Sequence, residues 1–403
     1  MKATSSTIST GSVPTRLPEP RAAEPSRWEA RLGGIRVLFG AGRLTELGPL
    51  LSELGRRALV VSDAGLHRAG HVDRALASLD AAGLAPAVFD GVDENPTTDH
   101  VDAGVAAARD HGADLLVALG GGSAMDCAKG INFVLTNGGS MADYQGWGRA
   151  EKPLLPSVGV PTTAGTGSDA QSYALISRAD DHRKMACGDP KARFRAVVLD
   201  PELLASAPRR VLAAAGIDAL SHVVESYVCT ARNPVSALYG REAFGLLVPG
   251  LPALLADPAD PVAAGQMLWG AHLAGAAIEQ SMLGIAHSCA NPLTARLGFA
   301  HGAAVGRMLP TVVRFNGAVV EALYGELLAA VGVSAEGGAA ARLAGLLEEL
   351  LALAGLDQRL SSWGLERGHL EALGTEAAEQ WTARFNPRPV TARELIGLYE
   401  EVW

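Results

Sequence analysis

Cysteine is scarce in this chain, with four residues among 403. No two of them form a C-x-x-C pair, so the sequence indicates neither a zinc knuckle nor a disulfide framework. We expect the thiols to be reduced and mostly buried, as is typical of a cytoplasmic protein. The four positions are Cys127, Cys187, Cys229 and Cys289.

Basic residues are outnumbered, with 34 Lys and Arg against 43 Asp and Glu, for a formal net charge of −9. Binding to nucleic-acid phosphates needs a basic face, so no nucleic-acid partner is expected. A run of 18 or more apolar residues is also missing, which argues against a transmembrane helix and a membrane partner. Since 48% of the residues are hydrophobic and 19% are charged, the composition excludes a disordered chain.

The first 26 residues are rich in Ser, Thr and Pro and lack the apolar core of a signal peptide. We predict a disordered tail over 1–26. Acidic residues are absent before Glu19, so a transit peptide is the alternative.

The pattern of secondary structure changes near residue 200. Before it, short apolar runs alternate with amphipathic helical stretches, which is typical of βαβ units and a mostly parallel sheet. After Asp200-Pro201 only helical periodicity is found. We therefore predict an α/β domain over 27–203 and an all-helical domain over 204–403. The predicted strands are Ile35–Phe39, Ala58–Ser62, Ala87–Phe89, Leu115–Leu119, Ser157–Val160 and Ala196–Leu199.

Glycine is abundant, with 47 residues, and three of them follow the fourth predicted strand as Gly120-Gly121-Gly122. Ser123 and a helical stretch come next. A glycine turn between a strand and a helix N-terminus offers free N–H groups to a phosphate. The spacing matches neither standard nucleotide fingerprint, so a plain tight turn is the alternative.

A second loop follows the fifth predicted strand and reads Pro161-Thr162-Thr163-Ala164-Gly165-Thr166-Gly167-Ser168-Asp169. Its small hydroxyl side chains suit the lining of a polar cofactor pocket. A surface loop rich in Thr and Gly is the alternative.

A carboxylate and three imidazoles form a candidate metal site. Asp218 and His222 stand four apart in a helical context, which places both on one helix face. His287 and His301 follow downstream. Such a mixed oxygen and nitrogen set suits Fe²⁺, Zn²⁺ or another borderline divalent ion, although a chance Asp-x-x-x-His on a helix is common. His272, in an apolar helix, is interpreted as packing.

Taken together, these segments resemble the iron-containing (group III) alcohol dehydrogenase family, from about residue 33 to the end of the chain. The matching segments are GGGSAMDCAKG at 120–130, GVPTTAGTGSD at 159–169, GIDALSHVVESY at 216–227, the segments around His287 and His301, and FNPRPVTARELIGLYEEVW at 385–403.

This resemblance implies an α/β nucleotide-binding domain and a helical metal-binding domain, the fold shared with dehydroquinate synthase, with the active site in the cleft between them. It implies NAD as cofactor, because an acid at Asp63 would hold the ribose hydroxyls and repel the 2′-phosphate of NADP. The positions it assigns to the metal are Asp218, His222, His287 and His301. Those it assigns to the cofactor are Gly121, Gly122 and Ser123 at the pyrophosphate, Thr162, Thr163, Thr166 and Ser168 beside the nicotinamide, and Asn95 and Lys184.

One position departs from the family pattern. Many members carry a second His four residues after the third metal ligand, where this chain has Asn291. An amide can hydrogen-bond but does not titrate near neutral pH, so a proton relay through this position is not expected. Either the alcohol proton leaves through the cofactor ribose or water, or Asn291 orients a different substrate. Trp147 and Tyr144 are candidates for the cleft rim, with a buried anchor as the alternative.

The sequence therefore predicts a metal-dependent, NAD(H)-linked oxidoreductase that interconverts a small alcohol and its aldehyde or ketone. Fe²⁺ is the expected ion and Zn²⁺ the alternative. A homodimer is expected by analogy, and the cysteine pattern predicts a cytoplasmic location. Two other functions stay open within the fold: a hydroxyacid–oxoacid transhydrogenase with tightly bound NAD, and a cyclase that resembles dehydroquinate synthase. A non-catalytic metal- or nucleotide-binding protein is the third alternative.

Overall fold

A computed structural model describes residues 27–180 and 183–403. The tail predicted over 1–26 lies outside these residues.

The described residues form ten strands in two sheets. The larger sheet has seven strands in the order β1-β2-β10-β7-β5-β3-β4, in which β1 is antiparallel to β2 and the other pairs are parallel. The smaller sheet has the order β6-β9-β8. The strands are β1 Trp28–Leu32, β2 Ile35–Phe39, β3 Arg57–Val61, β4 Ala85–Phe89, β5 Leu115–Gly120, β6 Gly146–Trp147, β7 Ser157–Pro161, β8 Tyr173–Ser177, β9 Lys184–Gly188 and β10 Ala196–Leu199.

The α-helices fall into two groups, because five lie between strands and eight follow the last strand. Side-chain caps fix the first residue of several helices. In one of them, the Asn233 side chain accepts hydrogen bonds from the amides of Val235 and Ser236, and a Pro occupies the first helical position. The helices are α1 Leu47–Ser52, α2 Ala64–Arg68, α3 His71–Ala81, α4 Thr98–His111, α5 Gly122–Asn137, α6 Arg209–Val228, α7 Pro234–Ala256, α8 Pro261–Glu279, α9 Ile285–Leu297, α10 His301–Ala330, α11 Ala339–Ala354, α12 Leu370–Glu379 and α13 Ala392–Val402.

The seven-stranded sheet has an apolar core on each face. Val37, Leu59 and Leu116 belong to one core, and Val60, Leu115 and Val158 belong to the other. Burial on both faces explains why the parallel strands are continuous apolar runs. A third core joins the helices that follow β10 and is formed almost wholly by residues after 203. The predicted fold class, a mostly parallel α/β domain followed by an all-helical domain, is confirmed.

The six predicted strands are all present, but four further strands were not predicted. β1 reads WEARL and is an edge strand with three exposed residues, so its composition gives no apolar run. The three strands of the smaller sheet are short and include polar or exposed residues. Strands of this kind are specified by pairing partners rather than by their own composition.

Within the described residues, one helix, α6, is long and apolar enough to match a membrane span by length and hydropathy. Residues buried inside the protein make up 83% of its most apolar window. The core helix of a soluble protein passes the same test, so the match carries little weight.

Candidate metal and nucleotide site

Helix α6 carries two carboxylates and an imidazole into a largely apolar core. Asp218, His222 and Glu225 are each no more than 5% exposed. Their spacing along the helix places them on neighbouring turns, so one buried face of α6 presents two carboxylates and an imidazole.

Two other helices bring imidazoles to Asp218. His287 lies in the first turn of α9, and His301 is the first residue of α10. The Oδ1 atom of Asp218 is 3.6 Å from the Nε2 atom of His222, 3.6 Å from that of His287 and 3.9 Å from that of His301. Ligand atoms of Asp218, His222 and His287 all lie within 4.8 Å of one another, close enough to hold one metal ion.

The donor set fits a divalent ion. Asp218 Oδ1 and His287 Nε2 are buried and have no hydrogen-bond partner among the described residues. Buried polar atoms are normally paired, so two orphans facing each other indicate a ligand between them. One carboxylate with imidazoles suits Fe²⁺ or Zn²⁺ better than Ca²⁺ or Mg²⁺, which prefer oxygen alone.

The protonation states of Asp218, His222 and His301 also favour the binding of a cation. Burial lowers the pKa of His222 and His301, which keeps both imidazoles in the neutral form that binds a metal. Burial alone would raise the pKa of Asp218, but the nearby imidazoles outweigh it and lower that pKa. Burial would likewise lower the pKa of His287, yet the carboxylates of Glu225 and Asp218 raise it to about 9. Metal binding at His287 therefore releases a proton.

Glu225 was not predicted as a site residue, although it stands three residues after His222 on the same helix. Its Oε2 atom lies 2.5 Å from His287 Nδ1, and its Oε1 atom accepts from the Ala286 amide at 2.6 Å. These contacts hold a proton on Nδ1, so Nε2 is the ring atom that would give up its proton and bind a metal. Carboxylates in this position orient the ligand and increase its basicity.

Replacing Glu225 with Gln is expected to weaken metal binding by about 10- to 100-fold, since the amide no longer supports His287 as a ligand. Competition with a chelator measures the metal affinity. Glu279→Gln is the matched control, because the Glu279 side chain is 7% exposed and bonds Ser172 and Arg193 instead of a histidine. Equal metal affinity in the wild type and Glu225→Gln would refute this role.

The glycine loop leads from β5 into α5. Gly121 precedes the first helical residue, Gly122, so the amides of the first turn of α5 point outward without intrahelical acceptors. No side chain caps this end of the helix. Together with the helix dipole, these amides form an anion site that suits a pyrophosphate.

The threonine loop, residues 162–168, packs against the glycine loop. The Thr162 amide donates to the Gly120 carbonyl at 3.0 Å. A Cβ atom at Gly121 would lie 3.2 Å from Thr163 Oγ1, and one at Gly122 would lie 2.6 Å from Thr166 Cγ2. The two predicted cofactor loops therefore form one continuous surface.

Two glycines fix the threonine loop to the helical part of the chain. A Cβ atom at Gly165 would be 2.7 Å from the Ala215 Cα atom of α6. Gly167 has a φ of +62°, and its Cβ position is 2.5 Å from the Gly275 Cα atom of α8. Because α6 also carries Asp218, these contacts set the distance between the threonine loop and the group formed by Asp218, His222 and His287.

Asp63 caps α2 with one carboxylate oxygen. Its Oδ1 atom accepts from the Gly65 and Leu66 amides at 2.8 and 3.0 Å. Within the described part of the chain no donor reaches Oδ2, so this oxygen is available to the hydroxyl groups of a ribose.

Asn95 and Lys184 lie together in the cleft. Asn95 has a φ of 56°, a left-handed conformation that no other described non-glycine residue adopts. Lys184 Nζ donates to Asn95 Oδ1 at 3.4 Å, and burial lowers the pKa of Lys184. Strained conformations of this kind cluster at functional sites.

Asn291 lies one turn after His287 on α9 and is half-buried. Its Nδ2 atom donates to Gln380 Oε1 at 3.1 Å. Gln380 was not predicted as a site residue, and it follows α12, far along the chain. Of the two candidates for the cleft rim, Trp147 lines the cleft, whereas Tyr144 is buried and its hydroxyl donates to the Gly138 carbonyl.

A single cleft with a volume of about 1840 Å³ collects these groups. Every residue that the sequence assigned to the metal, the cofactor or the substrate lines it. Pockets that hold drug-sized ligands measure about 300–1,000 Å³, so this cleft has room for a dinucleotide and a substrate together. His272 is not part of the cleft: its Nδ1 atom pairs with Asp169 Oδ2 at 2.5 Å.

The chain matches two models of known protein families. Residues 35–201 match the model of the iron-containing alcohol dehydrogenase family, and residues 212–403 match the model of its C-terminal domain. The chain belongs to the iron-containing alcohol dehydrogenases. The resemblance inferred from the sequence is therefore confirmed, and with it an oxidoreductase that interconverts alcohols and aldehydes.

Individual relatives agree with this assignment. The chain is 32% identical to the NAD-dependent methanol dehydrogenase of Bacillus methanolicus over 89% of its own length and 95% of that protein. It is 32% identical to the lactaldehyde reductase of Escherichia coli K12, over 91% and 97% of the two chains. Among solved structures, a 1,3-propanediol oxidoreductase superposes with a TM-score of 0.89 at 29% identity, covering 94% of this chain and all of the other.

Proposed function

We propose that this iron-containing alcohol dehydrogenase oxidises a small primary or secondary alcohol with NAD⁺, and catalyses the reverse reduction, at the metal cluster of the cleft. The observation that carries the proposal is the pair of orphaned buried atoms, Asp218 Oδ1 and His287 Nε2, at the end of a surface built from the glycine and threonine loops.

We assign Asp218, His222, His287 and His301 as the ligands of a divalent ion, with Fe²⁺ as the proposed ion and Zn²⁺ as the alternative. When bound, the ion supplies a Lewis acid that stabilises negative charge on the substrate oxygen. Glu225 holds His287 in the tautomer and orientation that binding requires.

The glycine loop and Ser123 would bind the pyrophosphate of NAD, and Thr162, Thr163, Thr166 and Ser168 would line the nicotinamide side. The nicotinamide supplies or accepts the hydride when bound. Because Gly165 and Gly167 fix the threonine loop against α6 and α8, these residues orient the cofactor toward the metal ligands. Asp63, Asn95 and Lys184 complete the cofactor site.

Asn291 is proposed to orient the substrate. Its amide nitrogen is held by Gln380, which leaves the carbonyl oxygen as an acceptor for a substrate hydroxyl. An amide does not exchange a proton near neutral pH, so the alcohol proton leaves by another route.

We also propose that the domains meet between 203 and 204, that the enzyme is a homodimer and that it works in the cytoplasm. The first proposal is supported by the core, whose helical part is formed almost wholly by residues after 203. Four buried free cysteines suit a reducing compartment.

Net NADH formation from a panel of short alcohols tests the proposed activity. We expect turnover with NAD⁺ and with added Fe²⁺ or Zn²⁺, since both ions suit the ligand set. A protein that binds metal and NADH but oxidises no alcohol and reduces no aldehyde would refute it.

NAD⁺ is expected to be preferred over NADP⁺, since the Asp63 carboxylate repels a 2′-phosphate. Asp63→Asn keeps the oxygen that caps α2 but removes the charge, so the preference should narrow by about 10-fold or more. The ratio of kcat/KM for the two cofactors is the measurement. Asp73→Asn, at an exposed acid outside the cleft, should leave the ratio unchanged. An unchanged ratio in Asp63→Asn would contradict the assignment.

A further inference from the structure

Three aromatic side chains form one wall of the cleft: Trp147 of β6, Tyr173 of β8 and Trp381, which follows α12. We call them the aromatic wall. The ring centroids of Trp147 and Tyr173 are 5.3 Å apart, and those of Tyr173 and Trp381 are 5.9 Å apart. The wall therefore joins the smaller sheet to the helical part of the chain.

The outer rings of this wall are open to the cleft. Trp147 is 54% exposed and Trp381 is 36% exposed. All six tryptophans of the chain lie within the described residues, and only these two are exposed to that degree. Large apolar rings left open in a cleft mark a ligand surface.

The wall lies at the reacting end of the cleft. Gln380 precedes Trp381 and accepts a hydrogen bond from Asn291. Thr382 follows Trp381, and its hydroxyl oxygen lies 2.7 Å from the hydroxyl oxygen of Ser288. Ser288 is the neighbour of the metal ligand His287. The segment that carries Trp381 is thus held directly against the first turns of α9.

Tyr173 approaches the same place from the cofactor side. It comes five residues after Ser168, the last assigned residue of the threonine loop. Leu175, two residues later on the same face of β8, also lines the cleft and is 37% exposed. Further apolar cleft residues, Ile278 and Leu283, precede His287 in the chain. The cleft therefore carries an apolar patch, in part aromatic, near these residues, and the polar residues Gln171, Gln380 and Arg384 also line it.

We propose that the aromatic wall selects alcohols and aldehydes whose reacting carbon is attached to a planar ring, such as aryl-methanols and aryl-aldehydes. This inference rests on the proposed function, whose substrate class it narrows. A planar ring gains stacked or edge-to-face contacts with Trp381 and its neighbours, which a saturated ring of the same size cannot make. Each such contact corresponds to roughly 2- to 10-fold in affinity.

The first test compares benzyl alcohol with cyclohexylmethanol, two primary alcohols with the same number of carbon atoms. We expect Trp381→Leu and Tyr173→Leu to lower the ratio of their kcat/KM values by about 3- to 10-fold, chiefly through KM for benzyl alcohol. Trp381→Phe should restore most of the ratio. Trp363→Phe, at a tryptophan outside the cleft, should keep the wild-type ratio. An unchanged ratio in both Leu variants would overturn the proposal.

A second test needs no variant. Benzamide and cyclohexanecarboxamide resemble the aldehydes that the two alcohols would form, but they are not reduced. Their binding to wild-type protein in the presence of NADH therefore compares a planar ring with a saturated ring without any contribution from the reaction rate. Calorimetry should show benzamide binding about 3- to 10-fold more tightly. Equal or weaker binding of benzamide would overturn the proposal that the aromatic wall selects planar rings. A second copy of the chain that covers Trp147 and Trp381 would overturn it as well. Failure to form net NADH from any alcohol would instead count against the proposed function. The comparison of the two amides would still show whether the aromatic wall selects planar rings.

Discussion

His287→Ala is expected to abolish both metal content and turnover. His287 supplies an orphaned Nε2 atom 3.6 Å from Asp218 Oδ1, and Glu225 orients its ring. Loss of a supporting carboxylate alone costs 10- to 100-fold in metal affinity, so loss of the ligand itself should cost at least about 100-fold. Bound metal measured by elemental analysis and NADH formation measured by absorbance should fall together.

His369→Ala is the control for this experiment. His369 is exposed, precedes α12 and makes no capping bond through its side chain, so metal content and activity should match the wild type. Circular dichroism of both variants separates loss of metal from loss of fold. Full activity of metal-free His287→Ala would exclude a metal-dependent reaction at this site.

Gly122→Ala is expected to weaken NADH binding by roughly 10- to 100-fold, or about 1.4–2.8 kcal/mol. The added Cβ would lie 2.6 Å from Thr166 Cγ2 and 2.9 Å from Thr166 Cβ. Because the Cβ atom of Thr166 is itself too close, rotation of the side chain does not relieve the contact, and one of the two loops must move. The same methyl group also hinders the approach of a phosphate to the first turn of α5.

Gly345→Ala provides the matched control for Gly122→Ala. Gly345 lies within α11, and a Cβ atom there would meet nothing within 4 Å. This change should leave NADH affinity unchanged and slightly favour the helix. Fluorescence titration with NADH measures both variants. Wild-type affinity in Gly122→Ala would mean that the two loops do not hold the cofactor together.

The parallel strands could be predicted because burial on both faces makes each of them a continuous apolar run. Leu115–Leu119 and Ala196–Leu199 are examples, and both are fully buried. Trp28–Leu32 carries no such run, since as an edge strand it is mostly exposed. Its pairing with Ile35–Phe39 is a property of the sheet rather than of its own composition.

Spacing and resemblance together placed the candidate site, but its supporting contacts could not be predicted. Asp218 and His222 share a helix face, which their spacing shows. The contact between Asn291 and Gln380 joins residues 89 apart in the chain, and only the packing of α9 against the segment after α12 brings them together. Glu225 could have been predicted, because its spacing from His222 already places it beside the candidate metal ligands.

Metal removal and reconstitution, followed by net NADH formation, tests the central claim most directly. Chelated protein supplied with NAD⁺ and an alcohol should form no NADH, and one equivalent of Fe²⁺ per chain should restore turnover. A transhydrogenase would instead need a second carbonyl substrate and show no net NADH even when loaded with metal. Net NADH formation by metal-free protein, or its absence from metal-loaded protein, would contradict a metal-dependent, NAD-linked alcohol dehydrogenase.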